Sequence, residues 1–198
     1  VYEPMGDHER AAALHARALA QARQAGDEAM VATASRRMAM SLAALGRVDA
    51  AVGSVEEARA AFARLGLRSQ LAYCTNSLGT LRHLQGDEVA SEALHREALA
   101  LWEELGEQQG IAIGCCHLAE RAVARGDVPE TVASLRRALA TARERRLPSI
   151  AGSVAAVAAT AALAAGQPER AARLYAHARA TAETHGFGLE VDLQPRLR

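Results

Sequence analysis

The densest set of metal-ligating side chains in this 198-residue sequence is Cys115, Cys116 and His117, followed by Glu120. Consecutive residues of a helix point about 100° apart, so the three cannot close on one ion, and no second Cys or His group stands at ligand spacing. With Cys74, they read as small or buried structural residues. The neighbouring acids Glu103 and Glu104 have the pattern of a solvated charged face. No Ser–His–Asp order, HExxH motif or glycine-rich phosphate loop occurs. All 23 basic residues are arginine, and without lysine there is no Walker A loop, no Schiff base and no kinase-type lysine. The reading is a non-enzyme with no metal and no cofactor.

Composition narrows the fold. Half the residues are apolar but only 3% are aromatic, and alanine, the strongest helix former, supplies about a quarter of the chain. Residues that favour strands are scarce, so the expected class is all-α. The 23 basic and 23 acidic residues cancel and are scattered along the chain, which gives no basic stripe for a phosphate backbone. Direct nucleic-acid binding by this segment is therefore not expected. Three cysteines, two of them adjacent, suit a reducing compartment, and no signal peptide is visible, so the expected location is cytoplasmic. The chain begins at Val1 without methionine and reads as a fragment of a larger protein.

The elements that would position any site are set by a row of glycines. Gly6, Gly46, Gly86, Gly126 and Gly166 stand forty residues apart, with Gly26, Gly66, Gly106 and Gly186 halfway between; Arg146 breaks the row. A fixed spacing over a whole chain marks a repeat protein. Gly-Asp recurs at 6–7, 26–27, 86–87 and 126–127, where glycine would close one helix in the left-handed conformation and aspartate would cap the next. Prolines fall in first turns or outside helices, where a missing N–H costs nothing. The map is about nine helices, near 7–25, 28–45, 48–65, 68–85, 88–105, 108–125, 128–145, 148–165 and 168–185, then a tail over 186–198. Pro148 to Ala165 carries no charge over 18 residues, at the lower edge of a membrane span. Its alanines and its place in the repeat make it a buried helix. At Arg146, the one joint without glycine, a change of twist or spacing in the stack is expected.

Equivalent positions form columns. Twelve residues after each main glycine stand Ala18, Ala58, Ala98, Ala138 and Ala178; five after it come Ala11, Ala51, Ser91, Thr131 and Ala171; seven before it come Ala39, Gly79, Ala119 and Ala159. Small residues in fixed columns let helix backbones approach closely. His15 and His95 share a column with Val55, Leu135 and Tyr175, so they are packing residues, and Phe62 and Trp102 share another at the seam between repeats.

These columns resemble the tetratricopeptide repeat (TPR) from about Thr33 to Gly186. Leu78-Gly79 matches the family's Leu-Gly pair, and Gly166 with Ala171, Tyr175 and Ala178 matches its turn glycine and second helix. The repeat is forty residues rather than 34, and Ser35, Thr75, Cys115 and Ala155 replace the first-helix aromatic. The resemblance implies one repeat domain over 1–198, a right-handed superhelical solenoid of antiparallel hairpins at 28–65, 68–105, 108–145 and 148–185, with a leading helix 7–25. It also implies that the first helix of each pair lines a concave groove. The residues so placed include Arg36, Met40, Tyr73, Asn76, Thr80, His83, Cys116 and Glu120. Met40 and the missing lysines depart from the clamp with which some TPRs hold carboxyl termini.

The long, Ala- and Arg-rich repeats, with Ala171 to Gly188 closing on Gly-Phe-Gly, are similar to the C-terminal arrays of large bacterial LuxR/MalT-like ATP-binding regulators. That resemblance implies a non-catalytic module binding a protein, peptide or small effector within a transcriptional regulator. The alternative is a structural spacer or oligomerisation array, such as a homo-oligomer, for which the alanine-rich helix 148–165 is the motive.

Overall fold

A computed structural model describes residues 5–186 of the chain. Among them are nine α-helices and no strand: α1 (Met5–Ala25), α2 (Glu28–Ala44), α3 (Val48–Arg64), α4 (Arg68–Leu84), α5 (Glu88–Leu105), α6 (Gln108–Arg125), α7 (Val128–Glu144), α8 (Pro148–Ala164) and α9 (Pro168–His185). The protein is an all-α, TPR-like solenoid of helix hairpins. The helices form two compact units, α1–α5 up to Gly106 and α6–α9 from Glu107. Within each unit every helix packs on the next in sequence, and alternate helices also touch, α2 on α4 in the first and α6 on α8 in the second.

The joints explain why the helices stop where they do. Gly26, Gly46, Gly66, Gly86, Gly106, Gly126, Gly166 and Gly186 all take positive φ, between 65° and 82°. At Gly126 the glycine N–H donates to Val123 C=O at 3.0 Å and the Asp127 N–H to Ala122 C=O at 2.9 Å, which satisfies the last carbonyls of α6. Asp127 Oδ1 then accepts the N–H of Glu130 at 3.0 Å in the first turn of α7. Asp27 and Asp87 cap Met30 and Ala90 in the same way, at 2.9 and 3.0 Å. One dipeptide closes a helix and opens its neighbour, as its residue types predict.

Two expectations about α1 do not hold. Gly6-Asp7 does not open the helix, because α1 begins at Met5 and runs through both. Ala18 is exposed, unlike its column mates Ala58, Ala98, Ala138 and Ala178, all at most 2% accessible. Among the described residues α1 packs on α2 and buries Leu19 and Ala22 instead. The segments 1–4 and 187–198, including the start of the chain and the tail after Gly186, lie outside the described residues.

Arg146 occupies its joint with the glycine conformation, at φ 52°. Its N–H donates to Arg143 C=O at 3.3 Å, and the Leu147 N–H to Ala142 C=O at 2.9 Å, the bonding pattern seen at the glycines. The local turn is thus kept, at the steric cost a side chain carries in that region.

The first unit has a core of Ala39, Ala51, Val55, Ala58, Phe62, Cys74, Leu78 and Leu81, flanked by Leu42, Leu71 and Leu94. Phe62 and Trp102 are fully enclosed. In the second unit Cys115, Leu118 and Ala119 of α6, Val154, Val157 and Ala159 of α8, and Ala171, Tyr175 and Ala178 of α9 are buried. Among the described residues no helix is long and apolar enough to cross a membrane.

One column position is specified by its neighbour. A Cβ at Gly79 would stand 2.7 Å from Cε1 of His95, whose ring is 2% accessible and donates from Nδ1 to Asn76 Oδ1 at 3.0 Å. The equivalent pairs elsewhere are Ala39 with Val55, Ala119 with Leu135, and Ala159 with Tyr175. Glycine is required where histidine is the partner, because the hydrogen bond holds the ring in place.

Two stability tests follow. Arg146→Gly is expected to raise the unfolding free energy by about 0.5–1 kcal/mol through relief of left-handed strain, while Gly126→Ala lowers it by about 1 kcal/mol; urea midpoints at constant slope report both. Gly79→Ala is expected to cost about 1 kcal/mol or more, overpacking outweighing the helix-propensity gain. In the His95→Val background the same change becomes neutral or stabilising, so the double-mutant cycle shows a coupling of at least about 1 kcal/mol. An additive cycle would remove the steric account.

Candidate functional site

Arg36 lies on α2 and Tyr73 and Ser77 lie on α4, the first helices of two successive hairpins, and the packing of α2 on α4 brings them together. The Arg36 guanidinium carbon sits 5.7 Å from the Tyr73 ring centroid, in cation–π range. Its Nη1 donates to Ser77 Oγ across a long 3.4 Å. Tyr73 in turn meets Trp102 of α5 edge-on, with centroids 5.1 Å apart and planes at 66°. A cation, a phenol ring and an enclosed indole therefore follow one another from α2 through α4 to α5, the two rings in edge contact.

The electrostatics match this half-buried setting. Burial is the main cause that pulls the Arg36 pKa below its ordinary value; the adjacent Arg37 adds to the shift, and Cys74 and Tyr73 oppose it. Cys74 is pushed up to about 11, first by burial, with Arg36 and Arg59 pulling the other way. At neutral pH it is a thiol, unsuited to nucleophilic attack. His15 is held low by burial and then by Arg37, and its Nδ1 lies 3.3 Å from Ser41 Oγ.

The remaining residues expected on the inner face take varied places. Met40 is half-buried on α2. Asn76 is buried at 9% accessibility, and its side-chain oxygen is engaged by His95. Thr80 is half-buried, its hydroxyl directed back to Asn76 C=O at 3.5 Å. His83 is exposed near the end of α4, with Nδ1 2.6 Å from Glu88 Oε1. Cys116 and Glu120 belong to α6, in the other unit; Cys116 is buried at 6%, and Glu120 lies 3.3 Å from His117 Nδ1 and 3.8 Å from Arg121 Nη2. Cys74 and Cys115 are buried as well, and among the described residues no group of three His, Cys, Asp or Glu side chains could hold a metal ion.

Sequence reasoning missed Ser77 and the role of Trp102. Ser77 lies outside the set of positions assigned to the inner face, and its link to Arg36 spans 41 residues, one more than the repeat. Trp102 was legible as a seam residue, while its edge contact with Tyr73 depends on how α5 is rotated against α4.

No protein-family model matches the sequence, and no curated protein matches it. Solved structures do resemble the fold. BtubC (BKLC) from P. vanneervenii superposes with a TM-score of 0.64 at 22% identity, over 94% of this chain and 78% of that one. A putative kinesin light chain of nearly identical TPR-like repeats from Podosopora anserina gives 0.58 at 20% identity, over 90% of this chain and 89% of that one. A single-substitution variant of that protein gives 0.59 at 20% identity, over 91% and 90%. What this chain shares with these proteins is the TPR-like helical repeat fold.

Proposed function

We propose that this chain is a non-catalytic binding module whose α2–α4 face, centred on Arg36 and Tyr73, takes a protein segment, a peptide or a small effector. The single observation that carries the reading is Arg36, a half-buried guanidinium stacked on an aromatic ring with no carboxylate beside it among the described residues. Cations placed so are costly in a merely structural role, and a ligand surface is where they are useful. Met40 and Thr80 extend the same face, and His83 lies toward its end. A TPR-like fold supports the choice, since stacked hairpins present long surfaces for recognition.

The wider setting is part of the proposal. The glycine period runs through both units without a change of spacing, which supports one repeat domain. The resemblance of Ala171 to Gly188 to LuxR/MalT-like arrays supports a cytoplasmic, multidomain bacterial regulator as the parent protein, with nucleic acid contacted elsewhere than in this segment. The spacer or oligomerisation reading has less support, because most apolar residues of α8 that motivated it, among them Ile150, Val154 and Val157, are buried.

Peptides selected by phage display against the folded domain test the face. Those that bind are expected to lose affinity by about tenfold or more against Tyr73→Ala combined with Arg36→Ala. The circular dichroism spectrum and urea midpoint show whether the variant stays folded. Binders indifferent to both substitutions would move the site off this face.

A further inference from the structure

Among α3, α5, α7 and α9, the second helices of the four hairpins, α7 alone carries aliphatic residues at all four places of one stripe. Val128, Val132, Leu135 and Leu139 follow one another at intervals of four, three and four residues, which sets them on one side of the helix. In α3 the fourth place is Arg59, in α5 the first two are Glu88 and Glu92, and in α9 the fourth is Arg179.

The stripe is also left open. Val128, Val132 and Leu139 are exposed and Leu135 is half-buried, while α7 turns Thr131, Ala138, Thr141 and Ala142 inward. Val132 is 40% accessible where its counterpart Val52 in α3 is 8%, and Val55 of that helix is fully enclosed. An aliphatic row about 17 Å long is costly to leave in water and matches the seam of one further helix.

Charge beside the stripe has one sign. Arg136 and Arg143 stand four residues after Val132 and Leu139, so they run along one flank. Both are exposed, and neither has an acid within ion-pairing distance among the described residues. The acids of α7, Glu130 and Glu144, fall on the opposite side of the helix by its 3.6-residue period, and Glu130 is already paired with Arg125 at 2.5 Å. The helix that follows, α8, carries no charge.

We propose that this stripe of α7 docks an amphipathic helix of a partner protein whose apolar seam is flanked by Asp or Glu. An acidic flank meets Arg136 and Arg143 while the seam closes on Val132 and Leu139. A second copy of the chain fits less well, since antiparallel α7 helices across a two-fold axis would set the two arginine rows against each other. A lipid surface is served by aromatic side chains beside the aliphatic ones, and α7 has none. The stripe lies in the unit from Glu107 onward, so it needs nothing from Arg36 or Tyr73.

The test titrates the full chain into three labelled, designed helices of about 20 residues and follows fluorescence anisotropy. One has leucines at the same spacing flanked by glutamates; one has lysines for those glutamates; one keeps the glutamates and scatters the leucines around the helix. The first is expected to bind with a dissociation constant of about 10–100 μM, at least tenfold more tightly than the other two. Val132→Glu with Leu139→Glu is expected to abolish binding, and Arg136→Glu with Arg143→Glu to transfer the preference to the lysine helix. All four positions are exposed, and circular dichroism with urea midpoints checks that both variants fold. Binding unchanged in Arg36→Ala with Tyr73→Ala supports a surface separate from the α2–α4 face, and its loss there would overturn this one. Equal binding of the glutamate and lysine helices, binding that survives Val132→Glu with Leu139→Glu, or a preference unmoved by charge reversal would also overturn it. So would sedimentation of the chain as a dimer, or with phosphatidylglycerol vesicles, that Val132→Glu with Leu139→Glu abolishes, because the stripe would then belong to a second copy or to lipid. Should a variant not fold, the glutamate-to-lysine ratio on the unaltered protein decides alone.

Discussion

Every helix boundary described from Gly26 onward depends on one residue that turns the backbone into the left-handed region. There the chain turns within two or three residues, and within each unit consecutive helices lie against one another. Eight glycines meet the requirement without steric cost. Arg146 meets it with a side chain, which shows that the geometry is imposed by the stack as well as by the residue. The strain is tolerated because Leu147 still satisfies Ala142 C=O and α8 buries much of its length.

Short joints fix direction, and the small-residue columns fix how near the helices come. Ala98, Ala138 and Ala178 are inaccessible, and each lets an adjacent backbone approach. A column is not a list of independent choices, however. Where His95 replaces an aliphatic residue, its partner Gly79 gives up a methyl group and Asn76 supplies the hydrogen bond that a buried imidazole needs. The three residues change together, so the departure from the column pattern is one event of packing rather than three.

Helix number and limits were legible in the sequence because glycine and aspartate act on the backbone within a residue or two of themselves. Gly6 shows the limit of that reading: the same dipeptide lies inside a helix. The candidate face was legible only in part. Arg36 and Tyr73 were reachable from the repeat register, yet Asn76, at an equally favoured position, is consumed by packing against His95. Ser77 was invisible because its pairing with Arg36 depends on the rotation of α2 against α4, which no local signal encodes. Cys116 and Glu120 share that register but belong to the other unit.

Charge separates the surface of this protein into pairs that hold it together and a residue that does not. Arg59 with Glu97, Arg64 with Glu28 and Arg68 with Glu104 link helices 36 or 38 residues apart, each exposed enough to contribute at most about 1 kcal/mol. Their value is in register, since a slipped hairpin would set like charges together. Arg36 is half-buried, as Arg59 is, but has no acid beside it among the described residues, and a cation–π contact with Tyr73 offsets only part of its desolvation. Replacing it by an apolar residue of similar size would remove that deficit, so the guanidinium is not what stabilises this part of the fold.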